Sequence, residues 1–285
     1  MKKIVVLIAC GVIFASLTGC SPGSSEEDLV KDTTYKATLD YKNNVITKPL
    51  SEYQVNEKQV AAYNTAHSII FNQCLQERGY SYPRYAPYKE LEGSREYGMW
   101  NPEYTEKYGF GITDSLVSKQ KNEDEKLNKI PEEFMQECYD KNKNTLDEIN
   151  VEENSDSVAR RLYVQSANAA KNDPEWKSAR EKWWQCLADK GLNPIKQDNS
   201  WGTEEDEALA IEKDQGNPAI QEENFRLATI EAKCSKDTDM AQKLADLEAA
   251  YQGPLVKENQ AALNAEKEEL NKRVQKAEDF IARNQ

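Results

Sequence analysis

Two short stretches of nearly the same sequence decide the fold: Gln73-Cys74-Leu75-Gln76-Glu77-Arg78-Gly79 and Gln185-Cys186-Leu187-Ala188-Asp189-Lys190-Gly191. Both run Gln-Cys-Leu, one variable residue, an acid, a base and a glycine, and a proline follows each within a few residues. Each is typical of the last turn of a helix, because the base sits where the helix dipole favours positive charge and the glycine can adopt the left-handed cap. The repetition predicts an internal duplication.

A weaker correspondence extends each copy toward the C-terminus. Residues 131–138 are predicted to be helical, with glutamates near the start and Cys138 at the end. Residues 222–234 are predicted to form a similar segment that ends at Cys234. We therefore predict two units, 56–150 and 151–285, each with a cysteine-bearing helix, a long loop and a second cysteine-bearing helix.

The first 20 residues have the parts of a secretory signal: two lysines, an apolar run too short to span a bilayer, and small residues before a cysteine. The last four, Leu17-Thr18-Gly19-Cys20, resemble the bacterial lipobox. The resemblance implies a signal peptide over residues 1–19 and two or three acyl chains, such as palmitate, on Cys20. We therefore expect a lipoprotein anchored in the lipid bilayer, on the extracytoplasmic side of the cell membrane.

The segment after Cys20 has the composition of a flexible tether. Residues 21–28 are small, polar and acidic, and residues 29–55 stay polar with no strong period. The sequence thus predicts a lipidated, flexible tether over residues 20–55.

Four cysteines remain for the folded part, because Cys10 leaves with the signal and Cys20 takes the lipid. An even number outside the cytoplasm predicts two disulfides among Cys74, Cys138, Cys186 and Cys234, for which three pairings are possible. The simplest pairing lies within each unit, Cys74 with Cys138 and Cys186 with Cys234. The alternative pairing would cross-link the units.

The net charge and the residue types limit the kinds of partner and cofactor that the sequence predicts. A net charge of −13 argues against nucleic acid, whose phosphates would repel the chain. The cysteines lack CxxC spacing and His67 is the only histidine, so we expect no metal site and no cofactor.

Helical periodicity dominates the rest of the chain and predicts a mainly α fold. The predicted helices cover residues 57–78, 131–149, 156–171, 173–190, 204–213, 218–235, 238–251 and 255–283, with Asn56 and Ser155 as caps and a break at Gly253-Pro254. The last helix has apolar residues partly at heptad spacing, which favours packing on its own domain, with docking to a partner helix as the alternative.

One region, residues 80–112, looks irregular. It holds half of the 14 tyrosines, and its prolines, Pro102 among them, argue against a helix. The rings either close the core of the first unit or form a ligand surface. The candidates for that surface are Tyr82, Tyr85, Tyr88, Trp100 and Tyr104.

No common catalytic motif stands out. The chain has no Gly-x-Ser-x-Gly elbow and no HExxH, and His67 lies on an apolar helix face, which is typical of a packing residue. With 50 acidic residues, no pair of carboxylates can be singled out.

The paired Gln-Cys-Leu…Gly segments are loosely similar to uncharacterised secreted lipoproteins of actinobacteria, a resemblance that implies no activity. We interpret the protein as a non-enzymatic binding or accessory module of the cell envelope, with a glycan or protein partner. The alternatives are a carboxylate-based enzyme acting on envelope glycans and a docking subunit of a transport complex.

Overall fold

The computed structural model describes residues 29–84, 93–111, 119, 122–123, 125–151, 156–211 and 217–284. Their fold is mainly helical, as predicted, with one small hairpin. Its elements are β1 (Thr38–Asp40), β2 (Val45–Thr47), a 3₁₀ helix (Ser51–Tyr53), α1 (Glu57–Gln76), α2 (Pro102–Tyr108), α3 (Glu132–Ile149), α4 (Val158–Asn172), α5 (Pro174–Asp189), α6 (Glu204–Ala210), α7 (Pro218–Asp237) and α8 (Met240–Asn284).

Local capping explains where the helices begin. Asn56 caps α1, as the sequence predicts, and the structure adds a reciprocal capping box with Gln59. Helix α4 starts two residues later than expected, because the hydroxyl of Ser157 accepts from the backbone N–H of Arg160 and makes Ser157 the cap. The expected cap, Ser155, lies outside the described residues.

The two disulfides join Cys74 to Cys138 and Cys186 to Cys234, which confirms the pairing within each unit. The first links α1 to α3 and the second links α5 to α7. The loops that they close span 64 and 48 residues, so each disulfide can stabilise the fold by about 4 kcal/mol in the chain-entropy model.

The two helix ends that suggested a duplication share the same backbone geometry. Gly79 and Gly191 have φ values of 80° and 81°. In each copy the residue after the glycine donates its N–H to the leucine carbonyl five residues earlier, at 3.1 Å. This hydrogen bond is that of the Schellman motif, and the positive φ values confirm the left-handed glycine cap predicted from the sequence. The second correspondence is looser, because Cys138 lies in the first half of α3 and Cys234 near the end of α7.

The expected tether is wrong for residues 29–55. Strands β1 and β2 pair in antiparallel fashion, and Ala37 and Ile46 are buried in the core around α5 and α7. Leu50 and Tyr53 are buried against α4 and α8. The apolar residues of this segment are few and widely spaced, so they show no period, although Ala37, Ile46, Leu50 and Tyr53 are buried in the core. Residues 20–28 lie outside the described residues.

The predicted break in the C-terminal helix lies five residues later than expected: α8 continues through Gly253-Pro254 and kinks at Asn259, whose φ and ψ are −107° and 15°. Proline has no N–H to donate to the carbonyl four residues earlier, that of Ala250. This carbonyl instead accepts from the backbone N–H of Asp32 at 2.9 Å. The ring of Tyr35 lies where a Cβ on Gly253 would be, so only glycine fits there. The N-terminal segment therefore supports the helix next to Pro254.

Helix α2 lies inside the region that was expected to be irregular. Pro102 occupies its first turn, where a missing N–H costs no hydrogen bond, and Asn101 caps it by accepting from the N–H of Tyr104. The argument from Pro102 against a helix was therefore wrong.

Three clusters of buried side chains lie along α8. The first joins α1 and α3 to Ala277, the second joins α5 and α7 to residues 240–249, and the third lies between them. The apolar residues of the C-terminal helix thus pack on its own chain. Tyr97 and Trp100 are buried in the second cluster, so a boundary at residue 150 does not separate the cores. Within the described part of the chain, no helix is both long and apolar enough to cross a bilayer.

Candidate functional site

Of the five aromatic residues proposed as a ligand surface, the three that the structure describes, Tyr82, Trp100 and Tyr104, are not brought together in one surface. Trp100 is 1% exposed, its indole N–H donates to the carbonyl of Ser94 at 2.8 Å, and it packs edge-on against Tyr41. Trp100 is therefore a core residue, which corrects its assignment to the surface. Tyr85 and Tyr88 lie outside the described residues.

The other two candidates are half-buried in different clusters. Tyr82 contacts Phe71 and His67 in the core of α1 and α3, while Tyr104 contacts Tyr108 at 5.0 Å between ring centroids. The ring of His67 stacks on Phe71 at 4.4 Å, which fits the packing role expected for this histidine.

A buried lysine organises a different group of residues. Lys48, just after β2, has a side chain only 3% exposed, and its Nζ donates to Glu96 Oε1 at 2.5 Å, to Tyr97 Oη at 3.2 Å and to Glu248 Oε2. The same ammonium lies 5.4 Å from the ring centroids of Tyr97 and Tyr163. We call Lys48, Glu96, Tyr97, Tyr163 and Glu248 the lysine cage.

The electrostatics of the lysine cage keep its hydroxyl groups protonated. Burial raises the pKa of Tyr97 well above its usual range, and the charges of Glu248 and Glu96 raise it further. Burial and Glu96 likewise raise the pKa of Tyr163, whose hydroxyl donates to Glu96 Oε1 at 2.8 Å. Burial also raises the pKa of Glu248, although attraction to Lys48 opposes the shift. The cage therefore offers carboxylate acceptors fixed by protonated donors.

The four cage residues other than Lys48 line a pocket of about 230 Å³, which we call the Glu–Tyr pocket. Its exposed residues on α4, namely Val164, Asn168 and Lys171, form what we call the rim. The lining residues are Glu96, Tyr97, Tyr163, Val164, Ala167, Asn168, Lys171, Trp176, Trp201 and Glu248.

A buried arginine contacts Trp201, one of the tryptophans that line the pocket. The guanidinium of Arg180 lies 4.6 Å from the rings of both Trp184 and Trp201. It also donates to the carbonyls of Gln197, Asp198 and Ser200 at 2.7–2.9 Å. Stacking and hydrogen bonds together fix the loop that carries Trp201.

A larger groove, of about 370 Å³, lies between α4 and the second half of α8. Its most prominent acid, Glu266, is already engaged, because its two oxygens accept from the backbone N–H groups of Val158 and Ala159 at 2.7 and 3.1 Å. This carboxylate satisfies the start of α4 and is not free for a ligand. We therefore prefer the smaller pocket, where polar groups converge.

A second buried acid lies away from the pocket, on α7. Glu231 is 1% exposed, and its Oε1 is 3.5 Å from the hydroxyl of Thr203. Burial, reinforced by the charge of Asp206, raises the pKa of Glu231 well above its usual range. Burial raises the pKa of Asp206 as well.

This buried acid predicts how stability varies with pH. A carboxyl group whose pKa is raised by folding weakens the fold as pH rises from the unfolded pKa, about 4.3, through the folded pKa. Glu231→Gln removes this loss, so the variant should gain stability relative to the wild type as pH rises above about 4.3, by about 1.4 kcal/mol for each pH unit until the folded pKa is reached. Urea unfolding at several pH values measures the difference.

Glu223→Gln, on the same helix, is the matched control. Arg226 lowers the pKa of the exposed Glu223, so this variant should lose a small amount of stability as pH rises. If the curves of Glu231→Gln and wild type stay parallel, the buried carboxyl does not titrate as described.

Sequence reasoning missed the residues of the lysine cage. Glu96 and Glu248 are two acids among 50, and Lys48 follows a strand of three residues that has no strong pattern. Tyr97 lies in the Tyr-rich region, but Tyr163 and Trp176 lie in predicted helices to which no site was assigned. No local signal could have brought these residues together.

Neither metal ligands among the described residues nor similarity to known proteins indicates a function. Among the residues that the structure describes, no three His, Cys, Asp or Glu side chains are grouped to hold a metal ion. No protein-family model, curated protein or solved structure matches this chain, so the geometry of the Glu–Tyr pocket is what its function must be argued from.

Proposed function

We propose that the protein is a lipid-anchored, extracytoplasmic binding module that holds a small ligand in the Glu–Tyr pocket. The lipobox-like residues before Cys20 support the anchor, and the disulfides fit an oxidising location. The ligand would belong to the cell envelope in which the anchor holds the protein.

The observation that carries the proposal is the fixed position of the polar groups. Lys48 and Tyr163 both donate to Glu96, and Lys48 also holds Glu248, so these carboxylates are oriented before any ligand arrives. Preorganised polar groups in a concave aromatic site lower the entropic cost of binding. A purely structural ion pair would not require the adjoining cavity.

Blocking the pocket mouth tests this function. Asn168 is on the exposed rim, so Asn168→Trp should fill the mouth without disturbing the core. We expect library compounds that bind the wild type in ligand-observed NMR to bind this variant at least about tenfold more weakly.

Gln165→Trp is the matched control, because Gln165 is exposed on the same helix but does not line the pocket. Compounds that bind the wild type and this control, but not Asn168→Trp, are pocket ligands. A library in which every binder tolerates Asn168→Trp would contradict the proposal.

Two glutamates in one pocket favour a second candidate, hydrolysis of a glycosidic bond by a carboxylate pair. Lys48 argues against this candidate, because its ammonium occupies the space between the carboxylates that the glycosidic oxygen and a water would need. Release of nitrophenol from nitrophenyl glycosides, lost in Glu248→Gln, would favour the enzyme instead.

A further inference from the structure

We infer that the Glu–Tyr pocket takes a neutral, hydroxylated ring, that is, one saccharide unit. This inference rests on the proposed binding function and adds the chemical class of the ligand. Three properties of the pocket carry it: its size, its charge balance and the arrangement of its hydrogen-bonding groups beside aromatic rings.

The size limits the ligand to about one ring. Pockets for drug-sized ligands have volumes of about 300–1,000 Å³. The Glu–Tyr pocket, at about 230 Å³, falls below that range. An extended peptide or an acyl chain would leave most of its length outside, whereas a single ring with its substituents would be enclosed.

The charges around the pocket already balance. The carboxylates of Glu96 and Glu248 face the ammonium of Lys48, and Lys171 adds a second ammonium at the rim. An anionic ligand would lie against both carboxylates. A cationic ligand that approached Glu96 would lie beside Lys48, which is held 2.5 Å from the same carboxylate. Uncompensated charge is costly in a buried site, so a neutral ligand is favoured.

The polar groups suit hydroxyls. Glu96, whose side chain is 24% exposed, is an acceptor, Lys171 is a donor, and the amide of Asn168 is both. A hydroxyl group both donates and accepts, so neighbouring hydroxyls on one ring can satisfy all three side chains without adding charge.

The aromatic side completes the match. Trp176, which is 4% exposed, and the half-buried Trp201 line the pocket. Their aromatic carbons can pack against the weakly positive C–H groups on the apolar face of a sugar ring. A ligand with hydroxyls around its edge and C–H groups on its face therefore complements both the polar and the aromatic residues that line the pocket.

The test compares one ring in three charge states. Isothermal titration of the full protein with methyl glucoside, glucosamine and glucuronate measures how the charge of the ligand affects binding. Titration with the methyl glycosides of galactose, mannose and N-acetylglucosamine measures how the shape of the ring affects it. We expect at least one neutral glycoside to bind, and glucosamine and glucuronate to bind about tenfold more weakly than that glycoside or not at all. Asn168→Trp should abolish this binding and Gln165→Trp should keep it.

Two results would overturn the inference. One is equal or tighter binding of glucosamine or glucuronate than of every neutral glycoside. The other is a panel in which no neutral glycoside binds, while a zwitterion such as leucine binds the wild type and Gln165→Trp but not Asn168→Trp. In either case the pocket remains a binding site and only the ligand class is wrong. If no glycoside, charged sugar, zwitterion or library compound distinguishes Asn168→Trp from Gln165→Trp, the proposed function fails as well.

Discussion

Lys48→Met is expected to lower the free energy of unfolding by about 3–5 kcal/mol, the cost of removing one partner from a buried ion pair. The variant leaves Glu248, 3% exposed, and Glu96 facing each other without the ammonium that both contact. Methionine keeps the length of the side chain, so the loss reports the charge more than the packing. Urea unfolding with the disulfides intact measures it.

Lys272→Met provides the matched control. Lys272 forms ion pairs with Glu268 and Glu269 on the surface of α8, where all three side chains are more than half exposed. Such pairs contribute about 0–1 kcal/mol. If the two lysine variants lose the same small amount of stability, Lys48 does not stabilise a buried cage.

Cys20→Ala is expected to abolish membrane attachment entirely. The anchor that we propose consists of acyl chains on the Cys20 sulfur, each buried methylene of which contributes about 0.8 kcal/mol to membrane binding. Without the sulfur there is no site for the lipid, so the variant should not incorporate a palmitate analogue. Metabolic labelling followed by detergent phase separation measures the loss.

Cys10→Ala is the control for this variant, because Cys10 lies in the expected signal peptide and should not carry lipid. It should label and partition like the wild type. If Cys20→Ala still labels and stays in the detergent phase, the proposed anchor is wrong, whereas the argument for the Glu–Tyr pocket is unaffected.

Features of the fold with a local chemical cause could be predicted from the sequence. The helix ends at Gly79 and Gly191 depend on a glycine with a base before it, and the start of α1 depends on the cap residue Asn56. The disulfide pairing followed from the repeated order of cysteines. In each case the deciding residues are close in sequence or repeat a visible pattern.

Features that depend on distant contacts could not be predicted. Helix α8 passes Pro254 because the N–H of Asp32 satisfies the carbonyl that proline leaves free. The segment at residues 29–55 looks like a tether until its few apolar residues are placed against the helices. The site itself joins Lys48 to Glu248 across 200 residues, and no local pattern marks either one.

Amine footprinting of the native protein tests the central claim most directly, namely that the N-terminal segment buries Lys48 between Glu96 and Glu248. Lys42, on the same hairpin, is exposed and serves as the internal reference. Brief acetylation followed by peptide mass spectrometry should modify Lys48 at least about tenfold more slowly than Lys42, because Lys48 reacts only when the fold opens locally. Equal reactivity of the two lysines would show that the segment is a tether, and it would contradict both the cage and the pocket built on it.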